Sequence, residues 1–269
     1  MTFTDTDVQN IRRAFSRGAQ DYQAYSAVQT KSAYQLIELF SQYSKKDLSG
    51  QTIADIGCGP APLAHLLADR HGLSTVKRYL CLDLSHTMLR MAVDQSAKLE
   101  HSAIQADFHA LPLKQNSCDI VISNFALQWC FDWQLFVRDL MLVSKDKAII
   151  AFALPLEKSF RTLNAQLNDF GLPMLNTLPS QESIIESFFE QKEFTMLDSR
   201  TFSVVRHFDS ISAALHSIKK IGAGTRTGHG KQAIADYAAW KQLFKSTKSK
   251  KIVLNYECAA FVFQCRKDA

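Results

Sequence analysis

The sequence predicts an α/β fold with a doubly wound, mostly parallel sheet. Three observations predict it. Between residues 50 and 155, short apolar runs alternate with helical stretches of about ten residues, the pattern of successive βαβ units. The first run ends in Asp55-Ile56-Gly57-Cys58-Gly59, a strand-to-helix turn with two closely spaced glycines. Two extended stretches, 193–207 and 252–266, follow much later and raise the strand count to seven, the last strand expected antiparallel.

Taken in order, residues 8–43 read as helical, because Val8, Ile11, Phe15, Ala19 and Tyr22 recur at three- and four-residue steps and Tyr34, Ile37 and Phe40 do so again. The polar stretch 45–50 ends in Gly and reads as a connector. Strands are expected at 52–56, 79–84, 103–106, 119–124 and 148–154, with helices at 62–71, 86–97 and 132–143. A polar, Pro-containing stretch at 171–183 reads as a loop. Between the two late strands lies a helical, Gly-rich insert, 209–248. The result is a Rossmann-like single domain over 1–269, with an N-terminal helical cap (1–48), a core (50–155) that takes a cofactor, and a helical lid insert.

Composition narrows the class. Of 269 residues, 46% are hydrophobic and 21% charged, as in ordinary globular chains, and no apolar run reaches the ~20 residues that span a bilayer. The N-terminus carries acids and no apolar core, unlike a secretory signal. The six cysteines form no CxxC pair and have no His at zinc spacing, so reduced thiols, a cytoplasmic location and no metal are expected. The net charge of +5 is too mild to imply nucleic acid, and there is no separate basic domain.

The loop 53–64 carries the chemistry. Glycines at 57 and 59 let the chain turn sharply and let a ligand approach the backbone, and the following helix start exposes N–H groups. A dinucleotide loop requires a third Gly where Pro62 stands. Asp55 at the strand tip can meet the ammonium of a methionyl group. Both features favour S-adenosylmethionine over a dinucleotide. Asp83 closes the next strand and can accept from ribose hydroxyls, a device that NAD enzymes share. Asp107 follows the third strand, where it can accept from the adenine amine while Phe108 covers the ring. Each acid alone is also a common turn or cap residue; three at successive strand tips point to one nucleoside-bearing ligand.

With these residues the chain resembles the class I S-adenosylmethionine methyltransferases over about 50–155, in ADIGCGPA, CLDLSHTML, ADFHALPL and CDIVISNFALQW, with Ala61 where the usual loop carries Gly. A narrower resemblance is to the malonyl-acyl-carrier-protein O-methyltransferases of biotin synthesis, the BioC family. It rests on Phe15-Ser16-Arg17-Gly18-Ala19 with Tyr22 and Gln29, on Ser123 to Cys130, and on Leu215, Ile218, Lys219, Ile221, Gly222 and Ala223. The resemblance implies a cofactor lining of Tyr22, Gln29, Asp55, Gly57, Cys58, Gly59, Asp83, Leu84, Met88, Asp107, Phe108 and Asn124, with S-adenosylhomocysteine as product. It implies methylation of the free carboxylate of a malonyl thioester on an acyl carrier protein, giving a methyl ester that primes pimeloyl units.

A carboxylate acceptor is ionised near neutral pH, so no general base is expected. Substrate positioning falls to Tyr22, Gln128, Trp129, Lys219 and Arg226, with Lys220 and His229 as further candidates; Tyr22 and Gln29 serve equally as a helix face, and Trp129 as core. A basic rim of Arg12, Arg13, Lys219 and Lys220 would suit the acidic carrier protein. The second expectation is a quinone or lipid methyltransferase, and the third a non-catalytic protein that binds S-adenosylmethionine. Methylation of nucleic-acid bases is disfavoured, because NFALQW stands where an Asn/Asp-Pro-Pro-aromatic motif would follow strand four.

Overall fold

Seven strands pair in the order β3-β2-β1-β4-β5-β7-β6 in the computed structural model of the chain. It describes residues 5–72, 76–95, 101–172, 175, 178–220, 235–247 and 251–267. The strands are β1 (Thr52–Ile56), β2 (Arg78–Asp83), β3 (His101–Gln105), β4 (Cys118–Asn124), β5 (Ser144–Pro155), β6 (Phe194–Phe208) and β7 (Ile252–Cys265). β1 pairs in parallel with β2 and β4, β2 with β3, and β4 with β5, whereas β7 runs antiparallel to β5. Strand order reverses between β1 and β4, and at such a switch point a crevice opens at the carboxyl ends of the strands.

Nine helices are described: α1 (Asp5–Tyr25), α2 (Ala27–Tyr43), α3 (Pro62–His71), α4 (His86–Gln95), α5 (Trp133–Val143), α6 (Arg161–Asp169), α7 (Gln181–Phe189), α8 (Ile211–Lys220) and α9 (Ala235–Ser246). The helical stretch expected at 8–43 is two helices that meet at Ser26. α6 was not expected; its buried side Leu163 and Leu167 is one short stripe in a polar segment. α7 begins inside the expected loop 171–183, where Ser180 caps it by accepting from Ser183 N–H at 3.0 Å, and Ile184 and Phe188 bury one side. In the insert, α8 and α9 are helical as expected, and 221–234 lies outside the described residues.

Contacts group the chain into two compact units. One comprises Gln29–Pro155, Pro179–Phe202 and Cys258–Ala269; the other comprises Met1–Val28, Leu156–Leu178 and Ser203–Glu257. The first holds β1 to β5 and two buried layers. Alternate residues of β5 and β7 show why there are two. Ile149, Ala151, Ala153, Ala260 and Val262 join Leu36, Phe40, Leu63, Leu67 and Leu89 of α2, α3 and α4. Their neighbours Phe152 and Phe263 stack with Phe188 of α7, Phe188 on Phe263 at 3.9 Å between centroids, Phe261 stacks on Phe152, and Trp133 and Phe136 of α5 close the layer. A two-residue period with both sides covered is the signature of a doubly wound sheet. Each fully buried Phe is worth roughly 1.5–3 kcal/mol of transfer free energy. In the second unit α1 packs on α8, and Phe160 meets Tyr256 edge-on at 4.7 Å.

Candidate active site

The turn after β1 is built from three left-handed residues, Gly57 (φ 64°), Gly59 (φ 53°) and Ala61 (φ 55°). At Gly57 a side chain is excluded twice over, by its φ and because a Cβ would collide with Cβ of Ala126, which follows β4. Ala61 occupies a conformation that costs an L-residue roughly 1–2 kcal/mol, and burial of its methyl group offsets about 0.8 kcal/mol of that. Pro62 opens α3 with its φ already helical. Cys58 N–H donates to Leu82 O at 2.9 Å, which moors the turn to β2.

Asp83 fastens the same turn from the tip of β2. Its Oδ2 accepts from Gly59 N–H at 2.9 Å and its Oδ1 from Ser85 N–H at 2.8 Å. Burial pushes its pKa up to about 6 against these two hydrogen bonds, which pull it down. Leu84 follows with its carbonyl accepting from Gln105 Nε2 at 3.2 Å, and Met88 is buried on α4. Asp55, expected at the turn's mouth, is 1% exposed and accepts from Tyr79 Oη at 2.8 Å. Burial drives its pKa up to about 7; the Tyr79 bond opposes this and the charge of Asp83 adds to it. The Cys58 thiol is likewise buried, and its pKa is raised by its Cys81 neighbour and by desolvation.

At the end of β3, Asp107 caps the short turn Phe108–Ala110: Oδ1 accepts from His109 N–H at 3.0 Å and from His109 Nδ1 at 2.7 Å. Phe108 is half-buried with its ring edge-on to Phe136 at 5.6 Å.

At the end of β4, Asn124 donates through Nδ2 to the backbone carbonyl of Gln29 on α2 at 3.0 Å. Both side chains are buried, and among the described residues Asn124 Oδ1 and Gln29 Oε1 have no hydrogen-bond partner. Phe125 then turns left-handed (φ 55°) although its side chain is buried, a strain of the kind held at functional sites. Gln128 donates through Nε2 to Phe125 O at 2.8 Å, which leaves its Oε1 buried without a donor, and Trp129 is buried in the turn Leu127–Trp129.

The structure therefore brings Gly57, Cys58, Gly59, Asp55, Asp83, Asp107, Asn124 and Gln29 to the carboxyl ends of adjacent parallel strands and the helix beside them. The side chains of Tyr22 and Lys219, and all of Arg226 and His229, lie outside the described residues. Sequence reasoning missed Tyr79, Ala126 and His109. Only His109 left a local signal, Asp-x-His at a strand end; the other two act across the sheet. Among the described residues no group of three or more His, Cys, Asp or Glu side chains is placed to hold a metal ion, and no helix is long and apolar enough to cross a membrane.

A family model described as a methyltransferase domain matches residues 54–152, the segment that carries this geometry. A malonyl-[acyl-carrier protein] O-methyltransferase of Geobacter sulfurreducens is 31% identical over 229 residues, 81% of this chain and 82% of that protein. The chain belongs to the malonyl-[acyl-carrier protein] O-methyltransferase family. Other members with the same name, from Marinomonas sp. and Yersinia pestis, are 25% and 29% identical and span 94% and 85% of the chain, and 93% and 80% of those proteins. Family membership makes the chain an S-adenosylmethionine-dependent methyltransferase. Solved structures share the fold at low identity. One is the YcgJ protein of Bacillus subtilis (TM-score 0.58, 13% identity, 87% of this chain and 99% of that one). Another is a Haemonchus contortus phospholethanolamine N-methyltransferase 2 in complex with S-adenosylhomocysteine (TM-score 0.53, 16% identity, 87% of this chain and 53% of that one). The [4+2]-cyclase SpnF also shares it (TM-score 0.55, 16% identity, 86% of this chain and 80% of that one), a reminder that such likeness concerns the fold alone.

Proposed function

We propose that the chain transfers a methyl group from S-adenosylmethionine to the free carboxylate of a malonyl thioester on an acyl carrier protein. The product is S-adenosylhomocysteine plus a malonyl methyl ester, a primer for pimeloyl units on the route to biotin. One observation carries the cofactor reading: among the described residues Gln29 Oε1 and Asn124 Oδ1 are buried acceptors with no donor, on two residues tied by the hydrogen bond from Asn124 Nδ2 to the Gln29 backbone carbonyl at the end of β4. A buried acceptor left unsatisfied costs about 1–3 kcal/mol, so two together fit a donor such as an α-ammonium. The Gly57–Ala126 approach keeps the turn free of side chain, as a ligand lying on the backbone requires.

The bound cofactor supplies an electrophilic methyl group on a sulfonium. Asp55 would hold the ammonium, whose charge favours the ionised form of a carboxyl that burial pushes up to about 7; Asp83 would offer the remaining lone pairs of its carboxylate to the ribose, and Asp107 its Oδ2 to adenine beside Phe108. Cys58, Leu84 and Met88 complete the lining. The acceptor carboxylate needs no base, since free carboxyl groups ionise near pH 4. The protein's task is alignment and exclusion of water. Trp129 walls the acceptor side after β4. Gln128, with one N–H held by Phe125 O, keeps a buried Oε1 that suits a donor such as an amide of the pantetheine arm. Tyr22, Lys219 and Arg226 are assigned to the malonyl end from sequence.

The acidic partner is supported by α1, which exposes Arg12, Arg13 and Arg17 along one segment. Six free cysteines, five of them buried, fit the reducing cytoplasm. The test is incubation with methyl-labelled S-adenosylmethionine and, separately, malonyl-acyl carrier protein, malonyl-CoA or a demethylated quinone precursor. Base-labile label on the malonyl thioester is expected. Label on the quinone alone, or cofactor binding with no transfer to any acceptor, overturns the acceptor assignment.

A further inference from the structure

Asp107 and His109 form a closed unit that capping alone does not require. A turn of this kind is satisfied by the backbone bond from His109 N–H to Asp107 Oδ1 at 3.0 Å. Here a second bond, from the His109 ring at 2.7 Å, lands on the same oxygen, while no hydrogen bond from the described residues reaches Oδ2. The ring is itself held. Phe131 stacks on it at 3.9 Å with planes 26° apart, and Phe108 lies against it at 4.4 Å. Phe131 is 46% exposed, an unfavourable place for a large apolar ring that the stack on His109 accounts for. Burial raises the Asp107 pKa, but the His109 ring bond, its backbone N–H and its charge outweigh this and leave the carboxyl below the usual range. The aspartate is thereby kept ionised and fixed in rotation, with one oxygen committed and the other available.

We propose that His109 is a positioning residue for cofactor recognition: its ring N–H, clamped by Phe131, orients Asp107 so that Oδ2 accepts the exocyclic amine of adenine. The inference rests on the assignment of Asp107 to adenine made above. It makes selectivity for a 6-aminopurine depend on a side chain that does not touch the ligand. An ionised, pre-oriented acceptor makes a stronger bond than a mobile one, because no rotamer freedom is lost when the ligand arrives.

The experiment is calorimetric titration of S-adenosylhomocysteine, and of its analogue with purine in place of adenine, into wild type, Asp107→Ala, His109→Ala, His109→Asn and Phe131→Ala. Asp107→Ala is expected to weaken S-adenosylhomocysteine about tenfold or more and the analogue by less than about twofold. His109→Ala should show the same selective loss at roughly three- to tenfold, His109→Asn should recover most of it through its amide N–H, and Phe131→Ala should lose a smaller part. The analogue controls for general damage to the fold, and Phe131→Ala keeps the test open should His109→Ala fail to fold. Equal losses on both ligands, or none, in His109→Ala and Phe131→Ala overturn the role of His109 while a selective Asp107→Ala leaves the adenine assignment standing. An unselective Asp107→Ala overturns both.

Discussion

Asp83 and Gly59 are joined tip to turn: the carboxylate closing β2 accepts the N–H of the glycine loop that follows β1, at 2.9 Å. With its other oxygen on Ser85 N–H, Asp83 shapes the loop, and in the proposed function its remaining lone pairs go to a ribose.

Asp83→Ala therefore acts in two ways. Loss of an ionised acceptor should weaken S-adenosylhomocysteine binding by about 1–3 kcal/mol, and the two N–H groups left behind should lower folding stability by a similar amount. Calorimetric titration and urea unfolding separate the two. Unchanged affinity would remove the ribose assignment.

Gly57→Ala should cripple cofactor binding, because the new Cβ must displace Ala126 or the loop. The double variant Gly57→Ala/Ala126→Gly removes that collision and keeps only the left-handed strain, so part of the lost affinity and stability should return. That strain is roughly 1–2 kcal/mol. A double variant no better than the single one would show that φ alone decides.

The buried carboxyls give a pH dependence of definite sign. Asp55 titrates near 7 and Asp83 near 6 in the folded chain, against about 4 for an unfolded Asp. Between these values the folded state holds protons that the unfolded chain has released. Stability should fall as pH rises from about 4 to about 7, and Asp55→Asn should flatten that fall. A bound ammonium favours the ionised carboxylate, so cofactor affinity should rise over the same window with proton release. Titrations in buffers of different ionisation enthalpy measure it; no release would detach Asp55 from the ligand.

Charge reversal at Arg12 and Arg13, both exposed on α1, should raise KM for malonyl-acyl carrier protein severalfold and leave malonyl-CoA turnover unchanged. The wild-type KM for the carrier protein should also climb with salt while that for malonyl-CoA moves little. Steady-state kinetics with the two acceptors decide it. Equal effects on both would place the carrier-protein dock elsewhere.

The sequence by itself determined the seven strands, the β1–Gly57–α3 turn and the acids at the strand tips, because period-two apolar runs, glycine's backbone freedom and the short reach of Asp are local properties. It also made α7 legible in principle, through Ser180, though α6 offered only one short stripe. Tertiary structure alone decided the rest. The sequence puts Asp55 at a strand tip, but only the pairing of β1 with β2 brings the phenol of Tyr79 alongside to donate to its Oδ2. Gly57 meets Ala126, and Asn124 meets Gln29 across 95 residues of chain. Side-chain identity fixes what a residue can bond to; the pairing of distant strands and helices fixes what it does bond to, since burial removes water as the alternative partner.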